Sequence, residues 1–196
     1  RRHTRYSSVT GVQTCALPIY VAIADAASDS VIVLLGRGDG TFVMGGEVTV
    51  DREPVAIAAA DLDEDGRVDV VTANVRASTL SIVRNEGTAG SRLRLRVVAA
   101  VPTAEQPVAV VTGRFFSDGV GIASAGSMAQ QVWVHAREQS GRWGSRQRMN
   151  INAVPTGVVA GDLDDDGRLD LVVLDVTGSA LQVWLNSETG TFRRRQ

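Results

Sequence analysis

Two nine-residue stretches constrain this chain more than anything else in it. The first is Asp61-Leu62-Asp63-Glu64-Asp65-Gly66-Arg67-Val68-Asp69. The second, 101 residues later, is Asp162-Leu163-Asp164-Asp165-Asp166-Gly167-Arg168-Leu169-Asp170. Both read D-x-D-x-D-G-x-x-D. Carboxylates at alternate positions of a tight turn converge on one point, and they repel one another unless a cation joins them. Hard oxygen ligands in a flexible arrangement suit Ca²⁺. The glycine at the sixth position lets the backbone fold around the ion. Both stretches therefore read as calcium loops, which predicts two ions per chain.

The flanks decide what kind of calcium protein this is. An EF-hand loop opens the same way but needs an acidic twelfth residue and a helix on each side. Here the twelfth residues are Thr72 and Val173. The runs Val55–Ala60 and Val70–Thr72 bracket the first loop, and Gly157–Gly161 and Leu171–Leu174 bracket the second. Short, Val-rich apolar runs are strands of a buried sheet. Each loop thus joins two strands, with the ninth-position aspartate in place of the distant glutamate.

The net charge of −2 conceals where the acids are. Each stretch carries five acids and one Arg, so the two contribute −8; the remaining 18 Arg against 12 acids give +6. Acidity is concentrated where a metal would neutralise it. Every basic residue is Arg, a pattern that GC-rich codon usage explains as well as a binding surface does. No basic stripe with interleaved aromatics is present, so nucleic acid is not an expected partner. No apolar run reaches the length of a membrane-spanning helix.

Residues 1–19 look foreign to the rest. Val9-Thr10-Gly11-Val12-Gln13-Thr14-Cys15-Ala16-Leu17-Pro18-Ile19 resembles the in-frame translation of a common short-read sequencing adapter. The competing reading, a natural leader, lacks the basic start, unbroken apolar stretch and small-residue cleavage site of a secretory signal. Residues 1–19 are therefore expected to be disordered. The single cysteine, Cys15, falls among them, and the position of any signal peptide is not observable.

From Tyr20 onward the chain repeats with a period near fifty residues, the mark of propellers and solenoids. Pro54, Pro107 and Pro155 open three units at spacings of 53 and 48 residues. A strand and a Gly-containing turn recur later in each unit: Val33–Phe42, Ile82–Gly87, Val132–Trp143 and Val183–Phe192. The units are a partial one at 20–53, full ones at 54–106 and 107–154, and one cut short at 155–196. About fifty residues with four strands make one propeller blade. Within 54–106 the strands are expected at Val55–Ala60, Val68–Ala73, Thr79–Val83 and Leu93–Ala99. The fold expected is all-β: a partial β-propeller of about three and a half four-stranded blades in an open arc.

The two acidic stretches, the strand-like runs before them, and the turns Gly38-Asp39-Gly40-Thr41-Phe42 and Thr189-Gly190-Thr191-Phe192 resemble the FG-GAP (VCBS) repeat family. These are the calcium-loop propeller blades also found in integrin α-chains. The resemblance covers 20–196. It implies that the side chains of Asp61, Asp63, Asp65 and Asp69, with the Arg67 carbonyl, ligate one ion. Asp162, Asp164, Asp166 and Asp170, with the Arg168 carbonyl, would ligate the other, while Glu64 and Asp165 point outward.

The unit at 107–154 departs from the pattern. Its loop reads Arg114-Phe115-Phe116-Ser117-Asp118-Gly119, and one carboxylate is no calcium cage, so this blade is expected to hold by packing alone. Arg37-Gly38-Asp39 spells an integrin-recognition tripeptide but sits at a turn position. His135 reads as packed or surface-exposed rather than catalytic. Trp133 and Trp184 are taken as matching core positions of two units, although a propeller-face aromatic also binds sugar. No nucleophile elbow, phosphate loop or catalytic pair is found.

The function expected is that of a non-catalytic, calcium-binding propeller segment of a secreted or surface protein, mediating protein or glycan binding. The rival is an accessory or catalytic propeller portion of a secreted enzyme (a hydrolase, lyase or dehydrogenase).

Overall fold

A computed structural model describes residues 6–12, 20–90 and 92–195. The regular structure among them is entirely β, in four sheets of four strands. Two compact units divide the chain, residues 1–100 and 101–196.

The first unit holds two sheets. One consists of β1 (Tyr6–Val12), β2 (Tyr20–Asp25), β3 (Ser30–Gly36) and β4 (Phe42–Thr49). The other consists of β5 (Pro54–Ala60), β6 (Asp69–Asn74), β7 (Thr79–Ala89) and β8 (Arg92–Pro102). The second unit repeats the plan. Its sheets are β9 (Pro107–Phe116), β10 (Gly119–Gly126), β11 (Gln131–Arg137) and β12 (Trp143–Asn150), then β13 (Pro155–Gly161), β14 (Asp170–Asp175), β15 (Ala180–Asn186) and β16 (Phe192–Arg194). Spatial order follows chain order in every sheet, so each is a meander of the propeller-blade type, and none closes on itself.

The repeat is written into the backbone. The residue entering the third strand of each blade is a non-glycine with positive φ: Asp29, Ser78, Gln130 and Ser179, between 48° and 53°. The Asp29 and Gln130 carbonyls accept bonds from Val50 and Ile151 N–H at 2.8 and 2.9 Å, tying that turn to the end of the fourth strand. Burial follows position in the sheet. Every residue of β6 is buried, as befits a strand covered on both faces, whereas β8 alternates between exposed and half-buried along most of its length.

Small and branched side chains fill the first core, and aromatic rings join them in the second. In the first unit Ala22, Val31, Val33, Ile57, Val70 and Val83 pack together with Leu93 and Leu95. In the second, Phe115, Val132, Val134, Leu171, Trp184 and Phe192 dominate.

Two expectations need correction. No regular element was expected before Tyr20, yet Tyr6–Val12 runs antiparallel to β2 as β1. The free edge of β2 offers a row of N–H and C=O groups, and ladder bonding to such an edge is indifferent to side-chain identity. The remainder of 1–19, Cys15 and Leu17 included, lies outside the described residues. The other correction concerns Trp133. Ile122 faces His135 just as Leu171 faces Trp184, so His135, not Trp133, shares the core position of Trp184. The two Val-Trp dipeptides that suggested the match therefore stand two positions apart in register, Trp133 opposite Ser124 where Gln182 stands opposite Val173.

Candidate metal centre

The acidic loops leave β5 and β13 and enter β6 and β14. Their first carboxylates are used to close the turn. Asp61 accepts from Asp65 N–H at 3.1 Å and Gly66 N–H at 2.9 Å; Asp162 accepts from Asp166 N–H at 3.2 Å and Gly167 N–H at 2.8 Å. The chain turns through left-handed residues at the fourth and sixth positions, Glu64 (φ 61°) and Gly66 (83°), then Asp165 (58°) and Gly167 (83°). Glycine is the residue for which that conformation carries no Cβ penalty.

The ninth-position aspartates are buried at the strand starts. Asp69 accepts from Leu62 N–H at 3.2 Å and from Asn85 N–H of β7 at 2.8 Å. Asp170 accepts from Leu163 N–H at 2.9 Å and from Asn186 N–H of β15 at 2.8 Å. The Asn85 and Asn186 side-chain amides donate to the carbonyls of Val68 and Leu169, at 3.3 and 3.1 Å. The two loops thus match almost bond for bond, though no feature but the nonapeptide itself was assigned to them from sequence. The asparagines were legible in principle, since they too are 101 residues apart.

Carboxylate oxygens of Asp61, Asp63 and Asp69 lie within 4.8 Å of one another, and so do those of Asp162, Asp164 and Asp170. Among the described residues these are the two groups of three or more acidic, His or Cys side chains so gathered. The carboxylates of Asp65 and Asp166 instead hold the guanidinium groups of Arg67 and Arg168, and each also accepts the backbone N–H of the same arginine, at 2.9 and 2.8 Å.

The electrostatics of the clusters fit a cation. Burial pushes the Asp69 carboxyl up to about 6; the Asn85 and Leu62 N–H groups pull it down, and the Asp63 and Asp65 charges add to the rise. Asp164 is raised by desolvation and by the charges of Asp166, Asp170 and Asp162. At Asp65 desolvation works upward, but the Arg67 N–H and the Arg84 and Arg67 guanidinium groups outweigh it and hold the carboxyl below its ordinary value. One oxygen of Asp63, Oδ1, is buried with no hydrogen-bond partner. A buried carboxylate oxygen left unpaired among like charges is costly, and a hard divalent cation with oxygen preference satisfies it.

The third blade holds its turn differently. β9 runs through Phe116, which pairs with Gly119 of β10. Phe115 packs edge-on against Phe192 with ring centroids 5.7 Å apart, and the Arg146 guanidinium lies 4.5 Å above the Phe116 ring. Asp118 pairs with Arg146 at 3.0 Å. The Arg37-Gly38-Asp39 tripeptide forms a turn, with Asp39 accepting from Thr41 N–H at 2.9 Å.

Meanders of four strands repeated in this manner define a β-propeller segment, and comparison with solved structures agrees. The chain is similar in fold to the Pseudomonas aeruginosa periplasmic gluconolactonase PpgL, with a TM-score of 0.66 and 18% identity over 98% of this chain and 53% of that one. It is also similar to a chain of the BBS1N complex with ARL6DN, with a TM-score of 0.58 and 14% identity over 97% and 56%. The chain spans little more than half the length of either. No curated protein matches it in sequence. Residues 19–72 match the family model of the FG-GAP-like repeat, a segment that includes the first acidic loop, so this propeller segment carries an FG-GAP-like repeat. No helix among the described residues is long and apolar enough to cross a membrane.

Proposed function

We propose that the chain is a non-catalytic, calcium-binding propeller segment of a secreted or surface protein, and that its loops on one face bind a protein or glycan. Asp61, Asp63, Asp65 and Asp69 with the Arg67 carbonyl would hold one Ca²⁺; Asp162, Asp164, Asp166 and Asp170 with the Arg168 carbonyl would hold another. The observation that carries this reading is the equivalence of the two loops, down to the backbone N–H groups that fix Asp69 and Asp170. When bound, the ion supplies the positive charge that lets three carboxylates share one small space. Extracellular calcium, at millimolar levels, saturates loops of modest affinity, which suits a secreted or surface location. Protein or glycan binding rests on the general tendency of loops on a rigid scaffold to carry recognition.

Isothermal titration of CaCl₂ into chelated protein tests the metal reading. The expected stoichiometry is two, falling to one in Asp170→Asn; no uptake at millimolar calcium would overturn it. A second reading, a portion of a lactone-hydrolysing enzyme, draws only on fold similarity to two structural neighbours named as lactonases. Lactone hydrolysis by the chain, lost on disruption of the loops, would favour it.

A further inference from the structure

The two loops differ at one position that faces the carboxylates. β7 places Arg84 immediately before Asn85, and its Nη2 lies 2.6 Å from Asp63 Oδ2 and 3.2 Å from Asp65 Oδ2. Strand register pairs Val70 with Val83 and Leu171 with Trp184, so the equivalent of Arg84 in β15 is Leu185. Leucine brings no charge. Each loop has its own internal arginine, Arg67 or Arg168, bound to the fifth-position aspartate. Only the first has a second guanidinium from the neighbouring strand, so five acids with two arginines leave −3 there, against −4 at the second loop.

We propose that Arg84 is a resident counter-cation that competes with the divalent ion in the loop at 61–69, so that the two loops differ in calcium affinity and fill in sequence. The inference rests on the calcium reading above. An ion entering the first loop meets one Asp63 oxygen, Oδ1, without a partner and the other already held by Arg84. To engage the rest of Asp63 and Asp65 it must displace the guanidinium, whereas at the second loop nothing on β15 needs to move. Arg84 is therefore a residue that sets affinity without ligating the ion. Its effect works by charge and occupancy, both absent at Leu185.

The test is a pair of exchanges, Arg84→Leu and Leu185→Arg, in the full chain. Isothermal titration of CaCl₂ into the chelated wild type is expected to resolve a tighter and a weaker site. Arg84→Leu should tighten the weaker site by roughly tenfold, the size of one screened unit charge near contact distance, and leave the tighter one unmoved. Leu185→Arg should weaken the tighter site by a similar factor. Denaturant unfolding in chelator supplies a readout without calcium: Arg84→Leu is expected to lower metal-free stability and Leu185→Arg to raise it. Two-ion binding with both constants unchanged by Arg84→Leu overturns the competition alone. Absence of calcium uptake in wild type and in Arg84→Leu overturns the calcium reading, and the competition with it.

Discussion

Acidification should destabilise the second unit through His135 before most carboxylates titrate. His135 has no solvent exposure. Its Nε2 lies 3.1 Å from Thr103 Oγ1, which lies 2.5 Å from Ser124 Oγ, while Nδ1 is buried without a partner. Burial, with a smaller contribution from the Arg148 charge, lowers its pKa from 6.5 to about 4. The folded state therefore binds the proton less readily than the unfolded chain. The stability that neutral His135 contributes is complete above about pH 6.5 and is lost as the pH falls toward 4. At about 1.4 kcal/mol per pKa unit, the loss is roughly 1.4 kcal/mol at pH 5.5 and about 2.5 kcal/mol at pH 4.5. Carboxylates and the loops titrate in the same range, so the quantity to measure is a difference. Urea unfolding of wild type and His135→Gln between pH 7.5 and 4.5, at fixed calcium, removes the shared terms. The wild type should lose stability relative to the variant by about 2–3 kcal/mol across that range, a midpoint change of roughly 1 M or more. Parallel curves would refute the reasoning and mean that water or movement of β11 solvates the protonated ring.

Three further outcomes are expected. Asp69→Asn should remove one of the two stability increments given by calcium, each about 2.7 kcal/mol at a hundredfold excess over Kd, as read by denaturant unfolding with and without chelator. Asn186→Ala should cost about 1–3 kcal/mol in metal-free stability, because its buried amide also donates to the Phe115 carbonyl at 2.8 Å; Asn85→Ala, which lacks that bond, should cost nearer 1 kcal/mol. Phe115→Ala should cost about 3–5 kcal/mol by urea unfolding, since a nearly fully buried ring packed against Phe192 leaves a cavity.

The blade plan was legible because strand, loop and turn recur with fixed chemistry. Pro54–Ala60 and Asp69–Asn74 fall within a residue of the strands expected from the apolar runs. β7 and β8 were the exceptions: expected to stop at Val83 and Ala99, they run on to Ala89 and Pro102, in β7 because polar residues continue the ladder when a partner strand is present. Spacing pointed to the gathering of Asp61, Asp63 and Asp69, and of Asp162, Asp164 and Asp170, but not to the turning of Asp65 and Asp166 toward Arg67 and Arg168. Arg84 was not legible. It is 15 residues from the nearest loop residue in sequence, and only the β6–β7 register brings it there. His135 was hidden for a similar reason. From sequence it read as packed or surface-exposed alike, and only the pairing with Ile122 shows that it occupies the place filled by Val83 and Trp184 elsewhere.

The third blade shows why the acids at the first, third and ninth positions of the loop are kept or lost together. By strand register Gly121 stands where Asp69 and Asp170 stand, and Arg137 where Asn85 and Asn186 stand; Arg114 follows Gly113 as Asp162 follows Gly161. A Cβ at Gly121 would come within 2.8 Å of Phe116 Cε2 and 2.9 Å of Phe115 Cδ2, closer than such atoms approach. The aromatic rings thus fill the space that a ninth-position side chain would need. With rings there, an aspartate does not fit. With an aspartate there, a buried charge must be matched by N–H donors and further ligands, and rings cannot supply them. Among the described residues, the turn between first and second strands has two mutually exclusive solutions: an acidic loop suited to an ion, and an aromatic plug. Restoring one acid to the third blade, by Gly121→Asp or Phe116→Asp alone, should therefore destabilise it without creating a metal site. This packing leaves the third blade no room for the ion proposed at the two loops that carry the nonapeptide.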